Sequence, residues 1–396
     1  MGRVAAIVAL LLAVPAGAST APERVHALVV SSAGGTVVEL DARTLERTAP
    51  AGVRLPNVGP WAFSPDRATI AVATGYSDRS TPVRLRLVDL ASRTRVASIL
   101  LGRDPKLRTG WVDPVALVGW SSPTTVVVVR RLVDTSLQLV TVDTVARRVL
   151  RRAPFAGELL RHAQSPEGVV LLVGERERIA APRLVVVRAD GVARSVGLAR
   201  MQAGWTVDTN VQPPVGRQWM PGLAVDGGTA HLVAPNGTIA SVTLDDLAVR
   251  YSERGTLAKY LTGSERTAVA LGGGLLAVTG SDWELRARQD ADPEQVVTPA
   301  GLELVDVRTG ERRRIDSSTT SVRLWGNALL AQGDGLTVYE RDGRVRSRML
   351  AGSQLWVTAV SGAIAYAYGA NEWLVVDLAA GGVIARRSSL PVMLVP

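Results

Sequence analysis

A pattern of alternating aliphatic residues that ends in an aspartate and a polar turn recurs along the whole chain. It occurs eight times, and its copies end at Asp41, Asp89, Asp143, Asp190, Asp245, Asp306, Asp342 and Asp377. The copies are about 48 residues apart on average, close to the repeat length of a four-stranded propeller blade. Because this alternation is typical of strands and no segment shows a helical apolar stripe, we expect an all-β protein with few helices.

Short turns come before the strands that lead to each aspartate. Ser64-Pro65-Asp66, Ser165-Pro166-Glu167-Gly168 and Asp226-Gly227-Gly228 are three of these turns. Gly, Asp and Pro provide the backbone angles that a tight hairpin needs. We interpret the recurring aspartate in the same way, as a turn former and not as a ligand, since an Asp side chain readily hydrogen-bonds the backbone of its own turn.

The first two repeats resemble a known family. Residues Ala27–Asp41 and Gly59–Asp66 are similar to the YVTN and WD40-like class of β-propeller repeats, and the later units follow the same outline. The resemblance covers nearly all of the chain and implies a single β-propeller domain.

The two ends of the repeat array suggest how the ring is closed. The first unit begins with its second strand, Val25–Ser32, and an isolated apolar strand remains at Val392–Pro396. Pairing these two segments in one blade removes an open sheet edge, which an exported all-β chain has to protect. We therefore favour a single propeller of eight blades closed by strands from both termini, with seven blades as the alternative.

The amino end has the features of a signal peptide. Val4–Val14 is an apolar run of eleven residues, and Ala16-Gly17-Ala18 is a small-x-small site before Ser19. A retained anchor is the alternative, but the run is shorter than the roughly 20 residues that cross a bilayer. We expect a signal peptide at residues 1–18, a propeller domain at 19–396, and a secreted or periplasmic location without further membrane spans.

Composition limits the partners and sites that this chain can have. It contains no cysteine, which excludes disulfides and thiolate metal sites. The formal net charge is +9, but the arginines are dispersed and form no single basic face, so we expect no nucleic-acid partner. We expect a monomer without a bound cofactor.

Three insertions between repeats are candidate binding loops, because ligands of such folds usually meet loops. The first, residues 201–220, is either a stacking surface or a tryptophan-anchored cover. The third, residues 102–111, is either a basic turn that meets an acidic ligand or an ordinary rim loop. The second, residues 281–300, holds the densest acidic stretch, which is either a weak calcium site or a solvated loop. The candidate binding residues are Trp205, Asp208, Arg217, Trp219, Trp283, Lys106 and Trp111, and the weak metal candidates are Asp290, Asp292 and Glu294.

Little in the sequence supports catalysis. His26, His162 and His231 fall in different repeats inside predicted strands, and we interpret them as core or edge residues. No nucleophile elbow, zinc-binding spacing or phosphate-binding loop is present. The sequence favours an exported, noncatalytic propeller that binds a protein or a cell-envelope polymer. The alternative is an enzyme of the quinoprotein-dehydrogenase or lactonase and hydrolase type, although Arg312-Arg313-Arg314 replaces the Trp-containing docking motif of the quinoproteins.

Overall fold

The predicted all-β architecture is confirmed. The computed structural model describes residues 24–31, 34–49, 52–55, 58–74, 82–102, 115–132, 136–208, 215–252, 261–288, 291–388 and 392–395. These residues form 35 strands joined by turns, and no helix occurs among them.

The strands of the first half of the chain are β1 (Arg24–Ser31), β2 (Gly34–Asp41), β3 (Val53–Leu55), β4 (Val58–Phe63), β5 (Thr69–Thr74), β6 (Val83–Asp89), β7 (Thr94–Gly102), β8 (Val115–Ser122), β9 (Thr125–Arg131), β10 (Leu137–Asp143), β11 (Arg148–Phe155), β12 (Glu158–Ser165), β13 (Gly168–Gly174), β14 (Arg183–Val187), β15 (Ala193–Gly197), β16 (Gly204–Asp208) and β17 (Val215–Met220). Those of the second half are β18 (Gly222–Asp226), β19 (Thr229–Val233), β20 (Ile239–Thr243), β21 (Val249–Ser252), β22 (Leu261–Gly272), β23 (Leu275–Arg288), β24 (Ala291–Pro299), β25 (Leu302–Asp306), β26 (Arg312–Asp316), β27 (Ser321–Trp325), β28 (Ala328–Gly333), β29 (Gly335–Tyr339), β30 (Val345–Met349), β31 (Trp356–Ser361), β32 (Ile364–Gly369), β33 (Glu372–Asp377), β34 (Gly382–Ser388) and β35 (Val392–Val395).

The favoured count of eight blades is wrong. Among the described residues, seven sheets have the four-stranded form of a propeller blade, which was the alternative count. One further sheet in the array has seven strands, in the order β16-β17-β22-β23-β25-β26 with β24 beside β23. The reason is that two insertions, which we expected to be face loops, form strands and extend this sheet.

Burial between neighbouring sheets explains why the inner strands are so apolar. β9 and β13 are buried along almost their whole length, because each lies in the middle of a blade with another blade on both sides. The outermost strands, such as β7 and β34, consist mostly of exposed and half-buried residues, since they border solvent. The core is therefore a series of apolar layers between sheets.

Strands from both ends of the chain meet in one blade. β35 pairs antiparallel with β1, with His26 opposite Val395 and Val29 opposite Val392, so it supplies the innermost strand of that blade. A buried hydrogen bond crosses the adjoining interface, where the Tyr366 hydroxyl donates to the carbonyl oxygen of Ala42 over 2.9 Å.

The repeated aspartates form turns, as expected. Oδ1 of Asp143 accepts hydrogen bonds from the backbone N–H groups of Val145 and Ala146 at 2.9 and 2.8 Å. Oδ1 accepts two such backbone bonds at Asp41, Asp306 and Asp377, and one at Asp89, Asp190 and Asp342. In the fifth repeat Asp246 takes this role, and Asp245 forms an ion pair with Arg188 instead.

Removal of β35 tests the closure of the ring. We expect a chain that stops after residue 391 to unfold at a lower temperature, because β1 becomes an open edge and each lost backbone hydrogen bond removes about 1 kcal/mol. Thermal unfolding followed by circular dichroism measures the change. The control is Val145→Ser, at a turn position where the side chain is 73% exposed. An unchanged unfolding temperature for the truncated chain would contradict the role of β35.

Candidate functional site

Two insertions that are about 60 residues apart in the sequence join in a single sheet. The hairpin of β16 and β17 comes from the first insertion. Residues 261–266 of β22, residues 281–288 of β23 and the whole of β24 come from the region of the second insertion. β17 pairs in parallel with β22, with Gln218 opposite Gly263 and Trp219 opposite Ser264. We call the five segments β16, β17, residues 261–266, residues 281–288 and β24 the extension sheet.

The extension sheet lies at the mouth of the central channel. β22 is the innermost blade strand of its sheet, and it contacts the innermost strands β18 and β27 of the two neighbouring blades. β17 therefore occupies the channel-side edge of β22. β17 pairs only with residues 263–265, near the start of β22, so the hairpin lies beside the part of β22 that comes before its blade residues 267–272.

One face of the extension sheet carries a row of register partners that runs across all five strands. Each of these residues lies opposite the next, so their side chains share one face: Trp205, Gln218, Gly263, Trp283 and Val297. We call them the tryptophan row. Its two tryptophans are three strand spacings apart, or about 14 Å.

Gly263 makes room for the ring of Trp283. A Cβ atom at residue 263 would lie 3.0 Å from Cε3 of Trp283 and 3.2 Å from the carbonyl oxygen of Gln218. Both separations are shorter than ordinary van der Waals contacts. The ring of Trp283 therefore lies across the backbone of residue 263, where only glycine fits without a shift of its neighbours.

Trp205 is an anchor for the hairpin. Its indole Nε1 donates a hydrogen bond of 2.6 Å to Oε2 of Glu158, at the start of β12 in the fourth blade. Oε1 of Glu158 lies 3.7 Å from Nη1 of Arg131, so the carboxylate connects the hairpin with two blades. This contact favours the tryptophan-anchored cover, one of the two interpretations of the first insertion.

The opposite face of the extension sheet holds a polar network. Trp219, Ser264, Asp282 and Thr298 are register partners on this face. Nη1 of Arg266 donates to Oδ1 of Asp282 over 2.8 Å and to Oγ of Ser264 over 2.9 Å, and the Ser264 hydroxyl also donates to Asp282. The Arg266 and Asp282 side chains are only 15% and 25% exposed, so the network binds β22 to β23 in a half-buried setting.

An ion pair connects distant blades near the mouth. Nη2 of Arg161 on β12 lies 3.3 Å from Oε2 of Glu265 on β22, although the fifth blade separates their sheets in chain order. Glu158, Arg161 and Glu265 were not among the residues predicted from the sequence. Nothing in their local sequence marks them, because their partners are 47 to 104 residues away.

The structure brings together several of the predicted binding residues. Trp205, Arg217, Trp219 and Trp283 all lie on the extension sheet, where Arg217 is exposed and the three tryptophans are half-buried. Asp208 ends β16, but its side chain is outside the described residues, as are Lys106 and Trp111.

The acidic metal candidates are only partly described. Asp290 and the side chain of Asp292 are outside the described residues, and Glu294 is exposed on β24. In the described ranges, no three His, Asp or Glu side chains are grouped so that they could hold a metal ion. The calcium site stays a prediction.

The three histidines occupy the strands that the sequence indicated. His231 on β19 is 5% exposed, and its Nδ1 lies 2.9 Å from Oγ of Ser241 on the neighbouring strand. Burial lowers the pKa of His231, and nearby Asp226 opposes this shift. Desolvation by surrounding atoms also lowers the pKa values of the half-buried His26 and of the exposed His162, the latter with help from the charge of Arg161.

Comparisons with known proteins show the fold alone. No protein-family model and no curated protein matches this chain, so the resemblance to YVTN and WD40-like repeats stays a prediction. The solved structure of the dihydro-heme d1 dehydrogenase NirN in complex with DHE is 14% identical, with a TM-score of 0.58, and the match covers 94% of this chain and 75% of NirN.

Two further structures are similar at lower scores. Apo AztD from Citrobacter koseri is 14% identical, with a TM-score of 0.48, over 94% of this chain and 97% of that protein. The β-propeller domain of the Trilobed protease from Pyrococcus furiosus is 12% identical, with a TM-score of 0.44, over 90% of this chain and 95% of that domain.

No stretch of the described residues forms a helix with the length and apolarity needed to cross a membrane.

Replacement of Glu158 tests the anchor of the extension sheet. We expect Glu158→Ala to raise amide hydrogen exchange in peptides covering β16 and β17 by at least about ten-fold, equivalent to 1.4 kcal/mol, because Trp205 loses its acceptor. Mass spectrometry measures the exchange. Glu175→Ala is the matched control, since it removes an exposed ion pair with Arg178. Equal exchange in both variants would show that the contact does not hold the hairpin.

The buried His231 predicts a pH dependence of stability. The pKa of His231 is lowered in the folded state from 6.5, so the unfolded chain binds more protons below about pH 7. The free energy of unfolding should therefore fall as the pH decreases from about 7 toward 5. His231→Gln should make this slope shallower in urea unfolding, whereas the exposed Glu167→Gln should leave it unchanged. A slope that is the same in all three proteins would contradict the prediction.

Proposed function

We propose that this chain is an exported, noncatalytic propeller that binds a protein partner through its extension sheet. The observation that supports this best is the joining of two separate insertions into one sheet at the channel mouth. A rigid, multi-stranded platform on a propeller is suited to present a constant surface to a partner, because a preorganised surface loses little entropy on binding.

The exposed side chains of the extension sheet favour a protein over a polymer of sugars. Val207 and Val297 are 45% and 54% exposed, and both belong to the face of the tryptophan row. Arg217 and Glu294 are exposed charged residues on its strands. Aliphatic and aromatic groups with a charged surround are typical of protein interfaces.

The outer edge of β24 offers a second mode of contact. Within the described residues β24 pairs only with β23, so the other side of the strand presents backbone N–H and C=O groups. Such an edge can accept an extended peptide as an additional strand. This mode of binding requires a polypeptide partner.

The charged side chains around the mouth support a binding role over catalysis. Glu158, Glu265 and Asp282 are each paired with an arginine, namely Arg131, Arg161 and Arg266. These pairs hold strands together. The enzymatic alternative rests on likeness of fold, which unrelated functions share, and the similarity to NirN at 14% identity is of that kind.

The remaining parts of the proposal come from the sequence. We propose that residues 1–18 are removed on export and that the mature chain begins at Ser19 in the periplasm or outside the cell. We further propose that it acts as a monomer and that its repeats are of the YVTN or WD40-like type.

Photocrosslinking in the exporting cell tests the binding surface. A photoreactive benzoylphenylalanine in place of Val297 should form a covalent adduct with a protein, which mass spectrometry of the adduct identifies. The matched control carries the same group in place of Val145, which is 73% exposed at a repeat turn outside the extension sheet. We expect Val297→Arg to reduce recovery of that partner about ten-fold, a change of 1.4 kcal/mol.

Three results would contradict this proposal. The first is the same set of adducts from both positions, since the surface would then be unselective. The second is unchanged recovery with Val297→Arg. The third is an adduct with a glycan and no protein, which would favour the envelope polymer.

A further inference from the structure

A polar groove lies beside the extension sheet, on the face opposite the tryptophan row. Its volume is about 550 Å³, within the range of small-molecule sites. One wall is the turn Pro235–Gly237 of the fifth blade. The other wall is formed by Asp282 and Thr298 of the extension sheet. Glu303 on β25 and Arg312 and Arg314 on β26 complete the lining. Three different parts of the chain therefore enclose the groove.

Two of the three arginines in the groove are neutralised by carboxylates. Arg266 pairs with Asp282 over 2.8 Å, and Nη1 of Arg312 lies 3.4 Å from Oε2 of Glu303. Nη2 of Arg312 also donates to the carbonyl oxygen of Gly237 over 2.7 Å, which joins the two walls. These contacts fix the two walls of the groove relative to each other. They also neutralise four of its five ionised side chains.

Arg314 is the fifth ionised side chain, and its charge is not cancelled. It forms no ion pair with any carboxylate in the described part of the chain, and its Nη2 donates only one hydrogen bond, of 3.3 Å, to the carbonyl oxygen of Ala300. A guanidinium has five N–H donors in a planar fork, so most of them remain available. Arg314 is exposed, and it lines the groove.

We infer that this groove binds a small hydroxylated anion, such as a sugar acid or a sugar phosphate. The carboxylate or phosphate group would meet Arg314, since the fork of an arginine suits two oxygens of one anion. The hydroxyl groups would donate to the carboxylates of Asp282 and Glu303 and exchange hydrogen bonds with Thr298. The polar walls and the single uncompensated positive charge disfavour apolar and cationic ligands.

This site is independent of the proposed function. The groove lies on the other face of the extension sheet from Val207 and Val297, and its key residue belongs to β26. Failure of partner binding therefore leaves the groove unaffected, and failure of anion binding leaves the partner surface unaffected.

Titration calorimetry of the full chain tests the inference, with glucuronate, glucose 1-phosphate, inorganic phosphate and neutral glucose as the probes. We expect glucuronate or glucose 1-phosphate to bind at least about ten-fold more tightly than glucose, and binding to weaken as the salt concentration rises. Tight binding of glucuronate alone identifies a carboxylate ligand, and tight binding of glucose 1-phosphate alone identifies a phosphate. If inorganic phosphate binds as tightly as the tighter of the two anionic sugars, the hydroxyl groups do not contribute to recognition. That result would overturn the inference of a hydroxylated ligand.

Two variants make the test specific to the groove. Arg314→Gln should weaken binding of the anionic sugar about ten-fold or more and leave the unfolding temperature unchanged, because only an exposed charge is removed. The control is Arg348→Gln, which changes an exposed arginine on β30 at the matching place in the next blade. Arg348 lies opposite Thr337 on the neighbouring strand, whereas Arg314 lies opposite Glu303. Equal affinity of wild type and Arg314→Gln, or no binding of either anionic sugar, would overturn the inference.

Discussion

The burial of both faces of middle strands such as β9 and β13 is the constraint on which the rest of this structure depends. Strands such as β9 and β13 are apolar on both sides, and each blade can bury them only between two neighbouring sheets. That requirement is met all around the array only if the first and last sheets also meet. The pairing of β35 with β1 and the hydrogen bond from Tyr366 to Ala42 lie at this junction.

The extension sheet uses a property of the innermost strands. The inner strand of a blade has one free edge, toward the channel, and where β22 extends beyond its blade residues this edge pairs with β17 at residues 263–265. The hairpin is then held at its far side by the contact between Trp205 and Glu158. The platform is therefore attached to the ring at two places, and its opposite faces carry the proposed partner surface and the proposed anion groove.

Local features of the fold were predictable from the sequence, and long-range ones were not. The aspartates form turns because their acceptors and donors lie within three residues of one another. The count of eight blades was wrong, because the repeat shows where strands recur but not that insertions add strands to one sheet. Trp205, Trp219 and Trp283 were recognised as unusual, yet Glu158, Arg161 and Glu265 were not.

The sequence by itself determined the all-β class, the repeat, the turns and the tryptophan-containing insertions, since each depends on interactions between residues close together in the chain. Only the tertiary structure decided that β16 and β17 share one sheet with β23 and β24, that Arg314 lines a groove with Asp282, and which glycine accommodates Trp283. These outcomes depend on the edge and register that each strand finds after the ring has closed, and the alternating pattern of a strand specifies neither of them.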